Sequence, residues 1–224
     1  MTAGAAAEPA LAAASAGVVA VATRLADATV TDDRLHDAES DPLTAADLER
    51  VADAAVARHG GDAADTTVEP AGTLRAGTPI MVSLTPRVDG VTTPLSRTFV
   101  VDGAGGWERR AAVAVGMAHD AVRRVVEPTL PARRVVEEAV AELGAYGLTA
   151  AGDVARGVRV ADGDPPDFST DDSLAAGQVF ALAPTATAPA PDHGHVRIGT
   201  CYAVTESGCR VLDATPTSLS PVAY

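Results

Sequence analysis

The sequence predicts a single α+β domain, and three observations support this fold class. Helical segments occur in two pairs, and each pair is followed by short apolar runs that have the composition of strands. Turn sequences at Asp89-Gly90 and at Glu206-Ser207-Gly208 favour hairpins between such runs. No low-complexity linker divides the 224 residues, so we expect one domain over 1–224 with its core at about 11–212.

The first half of the chain is predicted to hold two helices and a group of strands. An Ala-rich helix is expected at 8–27, with Pro9 tolerated in its first turn. A second helix is expected at 44–59, where Thr44 and Asp47 form a near capping box. A polar stretch at 31–41 and strands around Val68, at 80–84 and at 98–101 complete this half.

The second half begins with a Gly-rich loop and a long helix at 107–126. Its buried face is expected to contain Val113, Met117, Ala121 and Val125. Further elements are another helix at 133–143, an exposed loop at 162–172, and strands at 179–182, 196–204 and 209–212.

The chain is strongly acidic, with a formal net charge of -13 and 17 basic residues that are all Arg. Such a surface repels nucleic-acid phosphates and anionic membranes, which argues against both as partners. The acidic excess favours a halophilic, haloarchaeal protein, because high salt screens the self-repulsion of the surface. A GC-rich actinobacterial origin is the competing interpretation.

Neither the cysteines nor the N-terminal apolar run indicates a secreted protein. Cys201 and Cys209 form no CxxC pair, which disfavours a structural zinc site or a disulfide framework. The apolar run at 10–22 has only 13 residues, too few to cross a bilayer, and no Arg precedes it. We therefore expect a helix of the domain and a cytoplasmic protein.

Two segments in the middle of the chain carry the most specific pattern. Residues 77–87 read GTPIMVSLTPR, and residues 93–101 read TPLSRTFVV. They resemble the core of the M24 metallopeptidases, the superfamily of methionine aminopeptidase, Xaa-Pro aminopeptidase and prolidase. There the pattern is G-x-x-I-V-V-D-L-x-P-R and then D-x-T-R-T-F-V-V, and both Asp bind a dinuclear metal centre. Ser83 and Pro94 stand at those two positions.

Three later segments extend the resemblance over most of the chain. Residues 155–166 stand in the place of G-H-G-x-G-L-x-x-H-E-x-P, so Arg156 replaces a metal-binding His and Gly163 a substrate-contacting His. Residues 174–184 resemble L-x-x-G-x-V-F-x-x-E-P, with Ala183 in place of the ligand Glu. Near the end, VRIGT and VTESGC resemble V-R-I-E-D and V-T-E-D-G-C, with Gly199 in place of the bridging Glu.

The resemblance implies the pita-bread fold of creatinase and the aminopeptidases, a curved antiparallel sheet covered by helices, without its metal chemistry. All five ligand positions are replaced, by Ser83, Pro94, Arg156, Ala183 and Gly199. Two divalent ions need several carboxylates to balance their charge, and these side chains offer one hydroxyl and one cation. We therefore expect no metal cofactor. The alternative is a metal-dependent aminopeptidase or Xaa-Pro peptidase, using manganese or cobalt, whose ligands lie elsewhere.

Few other residues offer a catalytic or metal site. His193 and His195 alternate along a predicted strand and could chelate a metal together, although a solvated loop is the simpler interpretation. His119 is interpreted as a helix-surface or satisfied, partly buried residue, and Cys201 as a core residue. The sequence contains no G-x-S-x-G elbow and no P-loop.

The arginines predict a binding function. The resemblance places Arg97 and Arg197 beside the former metal site, and Arg156 and Arg159 are added to it. Arginines in a cleft without carboxylates need anionic partners, and salt bridges to neighbouring acidic residues are the alternative. We therefore expect a non-catalytic member of the superfamily, a pseudoenzyme that binds a peptide, an anion or a protein.

The N-terminal helix also suggests that the protein associates with a second chain. It has more apolar surface than one amphipathic face explains, at Leu11, Val18, Val19, Val21 and Leu25. This favours a homodimer or pairing with an active paralogue. Packing of the helix on the domain's own helix layer is the alternative.

Overall fold

The computed structural model describes residues 3–160, 164–187 and 194–224. The helices in these ranges are α1 (Ala3–Ala26), α2 (Ala45–Arg58), α3 (Trp107–Val125) and α4 (Arg133–Ala145), with a 3₁₀ turn at Pro221–Ala223. The strands are β1 (Thr29–Thr31), β2 (Arg34–His36), β3 (Asp62–Glu69), β4 (Ile80–Val88), β5 (Val91–Thr92), β6 (Leu95–Phe99), β7 (Thr149–Ala150), β8 (Ala155–Val158), β9 (Val179–Leu182), β10 (Thr185–Thr187), β11 (His195–Arg197), β12 (Thr200–Thr205) and β13 (Gly208–Val211).

The strands pair in antiparallel sheets, which confirms the predicted α+β class. In the first half β4 pairs with β3, β5 and β6, and in the second half the order is β13-β12-β9-β8. Strand β10 lies between β11 and β7, and β1 forms a hairpin with β2. Ser96 in β6 exchanges backbone hydrogen bonds with Gly199, which links the first sheet to the segment that enters β12.

Helices α1 and α2 cover the first sheet and form the largest core cluster with it. Leu11, Val18, Val21 and Leu25 of α1 are buried in this cluster. The helix approaches β4 closely at Gly17, where an added Cβ would lie 2.5 Å from the Cδ2 atom of Leu84. Four of the five apolar residues on which the assembly prediction depends therefore pack inside the domain; the fifth, Val19, is 37% exposed.

The capping box that begins α2 forms as predicted. The side chain of Thr44 accepts a hydrogen bond from the Asp47 backbone N–H, and the Asp47 carboxylate accepts one from the Thr44 backbone N–H. Two orphan donors at the helix start are satisfied in this way. The helix ends at His59 before Gly60, whose φ of 77° needs the left-handed region that glycine adopts readily.

Helix α1 is longer than predicted. It includes Ala3, so Pro9 lies inside the helix and not in its first turn. The segment Gly4–Ala26 has a mean hydropathy of 1.6 and is long enough to cross a membrane, so the expectation drawn from 13 apolar residues was wrong about its length. Half of its most apolar window is buried inside the domain.

Other predicted elements also need correction. The polar stretch at 31–41 contains the β1–β2 hairpin, and the strand expected at 196–204 is interrupted at Ile198-Gly199. The predicted buried face of α3 was correct at Ala121 but wrong at Val113, which is 50% exposed. The buried residues of this helix are Glu108, Ala111, Ala114, Val115, Ala118, His119, Ala121 and Val122. Short strands β7, β8 and β10 were not predicted, because runs of two to four residues show little periodicity.

Candidate functional site

The five residues at the predicted ligand positions line one cavity of about 300 Å³, here called the central cavity. Ser83 lies in β4, Pro94 precedes β6, Arg156 lies in β8, Ala183 follows β9 and Gly199 precedes β12. These segments are far apart in the sequence, so only the family resemblance could predict that they meet. The structure brings together all five.

Strand register explains how this cavity is built. Ser83 in β4 is paired with Thr67 in β3 and with Ser96 in β6, and Ser96 is bridged to Gly199. Directly paired residues project their side chains to the same face of a sheet. Thr67, Ser83 and Ser96 therefore place a row of hydroxyl groups along one wall of the central cavity.

Gly199 lies where the resemblance places a bridging carboxylate, but the surrounding space is filled. A Cβ added at Gly199 would lie 2.3 Å from the Ser96 Oγ atom and 2.8 Å from the Ala183 Cβ atom. Both distances are far shorter than van der Waals contact. A glutamate at this position therefore requires Ser96 and Ala183 to move.

The donors of the central cavity do not fit the dinuclear metal centre that the family implies. Its five replaced positions supply no carboxylate, while two divalent ions carry four positive charges. Three carboxylates, those of Asp65, Glu69 and Asp153, line the cavity but belong to exposed residues; we call them the acidic rim. Over the described ranges, no three or more His, Cys, Asp or Glu residues come close enough together to hold a metal ion.

Arg156 and Arg197 both line the central cavity. Neither takes part in an ion pair within 4.0 Å in the described part of the chain. Burial, and next the nearby Arg156 charge, lower the pKa of the Arg197 guanidinium, while Asp153 and Glu69 act in the opposite direction. The Arg156 charge therefore acts on Arg197, and the two carboxylates that oppose it do so without forming an ion pair.

Several polar atoms around this cavity have no hydrogen-bond partner. Arg197 Nε, Ser83 Oγ and Thr200 Oγ1 are buried, and none of the described residues bonds to them. Buried polar side-chain atoms in native proteins are mostly hydrogen-bonded, so exceptions need an explanation. That three such atoms belong to residues lining one cavity marks it as a candidate binding site.

Arg97 does not line the central cavity, so its prediction as a cleft residue was wrong. Alternate residues of a strand face opposite sides, and Arg97 points away from the face that carries Ser96. It is 1% exposed and donates to the Asp213 carboxylate at 2.5 Å. It also donates to four backbone carbonyls at 2.6–2.9 Å, those of Ser96, Gly199, Thr215 and Pro216.

The other predicted candidates lie outside the cavity lining. Arg159 is largely exposed, forms an ion pair with Asp164 at 3.3 Å, and shares a neighbouring pocket with Arg156. His195 is exposed on β11. His193 lies outside the described residues, so the structure does not describe the predicted histidine pair as a whole.

His119 is more buried than predicted and is fully hydrogen-bonded. Its Nε2 atom lies 2.8 Å from the Ile198 carbonyl and its Nδ1 atom 2.9 Å from the Tyr202 hydroxyl. Because a carbonyl only accepts, Nε2 carries the proton and Nδ1 accepts from Tyr202. Burial lowers the pKa of His119 to about 4, so the ring is neutral. Cys201 is a core residue as predicted, and burial raises the pKa of its thiol to about 12.

Sequence reasoning missed the acidic rim and the hydroxyls of Ser96 and Thr200. The two hydroxyls stand in segments that resemble the family pattern, and their pairing with the ligand positions could have pointed to them. The rim residues carry no motif, because β3 and the segment before β8 reach the cavity only through the fold.

Comparisons with known proteins agree with this architecture. A family model for metallopeptidase family M24 matches residues 2–206. Among solved structures, the prolidase from Pyrococcus horikoshii OT3 has a TM-score of 0.77 at 18% identity, covering 96% of this chain and 62% of that chain. The X-Pro aminopeptidase from Thermotoga maritima MSB8 has a TM-score of 0.77 at 14% identity, covering 95% and 61%. The dipeptidase PepE from Mycobacterium ulcerans has a TM-score of 0.76 at 21% identity, covering 94% and 58%.

These solved structures share the pita-bread architecture. At such identities the likeness establishes the fold alone, and the chain spans about three-fifths of the length of each structure. No curated protein sequence matches the chain.

Proposed function

We propose, from the premise that this chain belongs to metallopeptidase family M24, that it is a non-catalytic member whose central cavity binds a peptide or another anionic ligand. One observation carries the proposal. The five positions that hold metal ligands in the family converge on a single cavity, and none of them supplies a carboxylate or an imidazole.

Electrostatics supports the loss of metal chemistry. A pair of divalent cations is bound where carboxylates offset four positive charges. At the corresponding place this chain has the Arg156 guanidinium, and the half-buried Arg197 lines the same cavity. Bringing two metal ions beside these fixed cations would add repulsion where the family has attraction. The same two arginines favour an anionic ligand.

The shape of the region supports a binding role. The central cavity lies at the lower end of the ~300–1,000 Å³ typical of small-molecule sites. A groove of about 980 Å³ adjoins the central cavity. The residues that line both are Asp153, Val154, Ala155 and Arg156. Apolar side chains line much of this groove, including Val136, Val140 and Phe168. A peptide could extend from the cavity into it.

A hydrolysis assay tests the proposal against the alternative, a metal-dependent aminopeptidase or Xaa-Pro peptidase. The protein is incubated with Xaa-Pro dipeptides and longer peptides in the presence of manganese or cobalt, with and without chelator. We expect no release of N-terminal residues, while the prolidase from Pyrococcus horikoshii OT3 serves as the positive control. Chelator-sensitive hydrolysis would overturn the proposal in favour of the enzyme.

A further inference from the structure

The inner wall of the central cavity offers hydrogen-bond donors without acceptors. Arg197 Nε can only donate, and none of the described residues accepts from it. The Ser83 hydroxyl is orphaned in the same way, and the Ser96 hydroxyl lies next to it by register. Burying a guanidinium N–H without an acceptor costs free energy, so an acceptor on a ligand relieves that cost.

The two guanidinium groups at the cavity indicate which chemical group that acceptor is. The exposed Arg156 and the half-buried Arg197 both line the cavity, and no ion pair of either is present in the described part of the chain. A guanidinium binds a carboxylate through parallel, charge-assisted hydrogen bonds. A single carboxylate placed between the two groups would neutralise their repulsion and satisfy Arg197 Nε.

The acidic rim gives the opposite preference at the mouth of the cavity. Asp65, Glu69 and Asp153 are exposed there, and two of them, Glu69 and Asp153, act electrostatically on Arg197 without pairing with it. Exposed carboxylates attract a cationic group, although solvent screens the interaction. The lining is therefore polarised: the unpartnered Arg197 Nε and Ser83 Oγ atoms are buried, and the three carboxylates are exposed beside Arg156.

We infer that the central cavity binds a small zwitterion, an amino acid or a short peptide, with its carboxylate inward against Arg197 and Ser83. The ammonium group then lies toward the acidic rim. This inference rests on the proposed function and deepens it, since it states the class of ligand and the direction in which the ligand enters. The small volume of the cavity admits the carboxylate end, and the adjoining apolar groove accommodates the rest of a longer peptide.

Calorimetric titration with four probes tests the direction of entry. The probes are L-alanyl-L-alanine, its C-terminal amide, its N-acetyl derivative and acetate. We expect the amide to bind at least about tenfold more weakly than the free dipeptide, because it loses charge-assisted hydrogen bonds. The N-acetyl derivative should lose less affinity than the amide, because the carboxylates of the acidic rim are exposed and screened by solvent.

The possible outcomes separate this inference from the proposed function. Equal affinity of the amide and the free dipeptide would overturn carboxylate-first binding while leaving a non-catalytic peptide-binding cavity. Failure of all four probes to bind would overturn the inference, and the non-catalytic character would still be decided by the hydrolysis assay. Chelator-sensitive hydrolysis of the dipeptide would overturn the proposed function itself.

A pair of variants tests whether Arg156 contributes to carboxylate binding beside Arg197. Arg156→Gln should weaken binding of the free dipeptide by about tenfold and leave the amide unchanged, because only the carboxylate needs that cation. Arg159→Gln is the matched control, since both arginines are exposed on the same segment and only Arg156 lines the cavity. Unchanged dipeptide binding by Arg156→Gln, with wild-type thermal stability, would contradict the assignment.

Discussion

Arg97 in β6 and Arg197 in β11 lie on neighbouring strands, which are joined through hydrogen bonds between the Thr98 hydroxyl and the Arg197 backbone. Arg97 donates to one carboxylate and four carbonyls, whereas Arg197 has a buried Nε with no partner among the described residues. The resemblance gives both residues the same expected place beside a metal site. Their surroundings give them different roles.

The difference extends to the residues around each arginine. On the Arg97 side, Asp213 is buried and paired, and His119 is bonded at both ring nitrogens. On the Arg197 side, the Ser83 hydroxyl is buried without a partner. This contrast is the basis of our proposal that one face of these strands stabilises the domain and the other holds donors for a ligand. Substitutions on the first face should change stability, and those on the second should change binding.

The largest effect is expected for Arg97→Met. This change removes the buried ion pair and leaves the Asp213 carboxylate, 4% exposed, without its cation. Breaking a buried pair by removing one partner costs about 3–5 kcal/mol. Urea unfolding measures the loss. Arg123→Met is the control, because the ion pair of Arg123 with Asp120 is exposed and should contribute at most about 0.5 kcal/mol. Similar losses for both variants would contradict the comparison.

His119 should make stability depend on pH. The folded state holds its pKa at about 4 by burial, below the ordinary value of 6.5, so the unfolded chain takes up the proton first as pH falls. Stability should therefore be independent of this group above pH 6.5 and should fall by about 3 kcal/mol between pH 6.5 and pH 4. Unfolding midpoints measured between pH 6.5 and pH 4 test this expected loss of stability. The slope should be smaller in His119→Gln, where carboxylates still titrate; an unchanged slope there would mean that another group is responsible.

A smaller effect is expected where the cavity wall is packed most tightly. Gly199→Ala should cost about 1–3 kcal/mol, because the new methyl group overlaps the Ser96 hydroxyl and Ala183. Gly116→Ala in the interior of α3 is the matched control: nothing lies within 4 Å, so better helix propensity should stabilise it by up to about 1 kcal/mol. Thermal unfolding of the two variants should show shifts of opposite sign.

The smallest effect is expected for Ser83→Ala. Its hydroxyl makes no hydrogen bond to the described residues, so its removal breaks none and should change stability by less than about 0.5 kcal/mol. Binding of L-alanyl-L-alanine should nevertheless weaken. A stability loss as large as that of Gly199→Ala would mean that this hydroxyl supports the fold and not a ligand.

The sequence predicted the fold class and the five former ligand positions that line the central cavity, because both follow from family-like segments. It also located the capping box at Thr44, since that signal is local. The prediction for the buried face of α3 was wrong at Val113 because Ala-rich helices give a weak periodic signal: Val113 is exposed while small residues such as Ala114 and Ala118 pack inside.

For the site, the feature that the sequence could least predict was the direction in which each side chain points. Arg97 and Ser96 are adjacent in sequence, and only the strand register decides which one faces the cavity. The acidic rim could not be predicted either, because Asp65 and Asp153 come to line one cavity only when the two halves of the chain fold together. Long-range proximity of this kind leaves no local pattern.

The most direct test of the central claim is a metal titration of the purified protein. Calorimetry with manganese and with cobalt, followed by metal analysis after gel filtration, measures how many ions the central cavity holds. The absence of carboxylate and imidazole groups at the five former ligand positions predicts no tightly bound metal. Two equivalents retained through gel filtration, and lost on substitution of residues lining the cavity, would contradict the account.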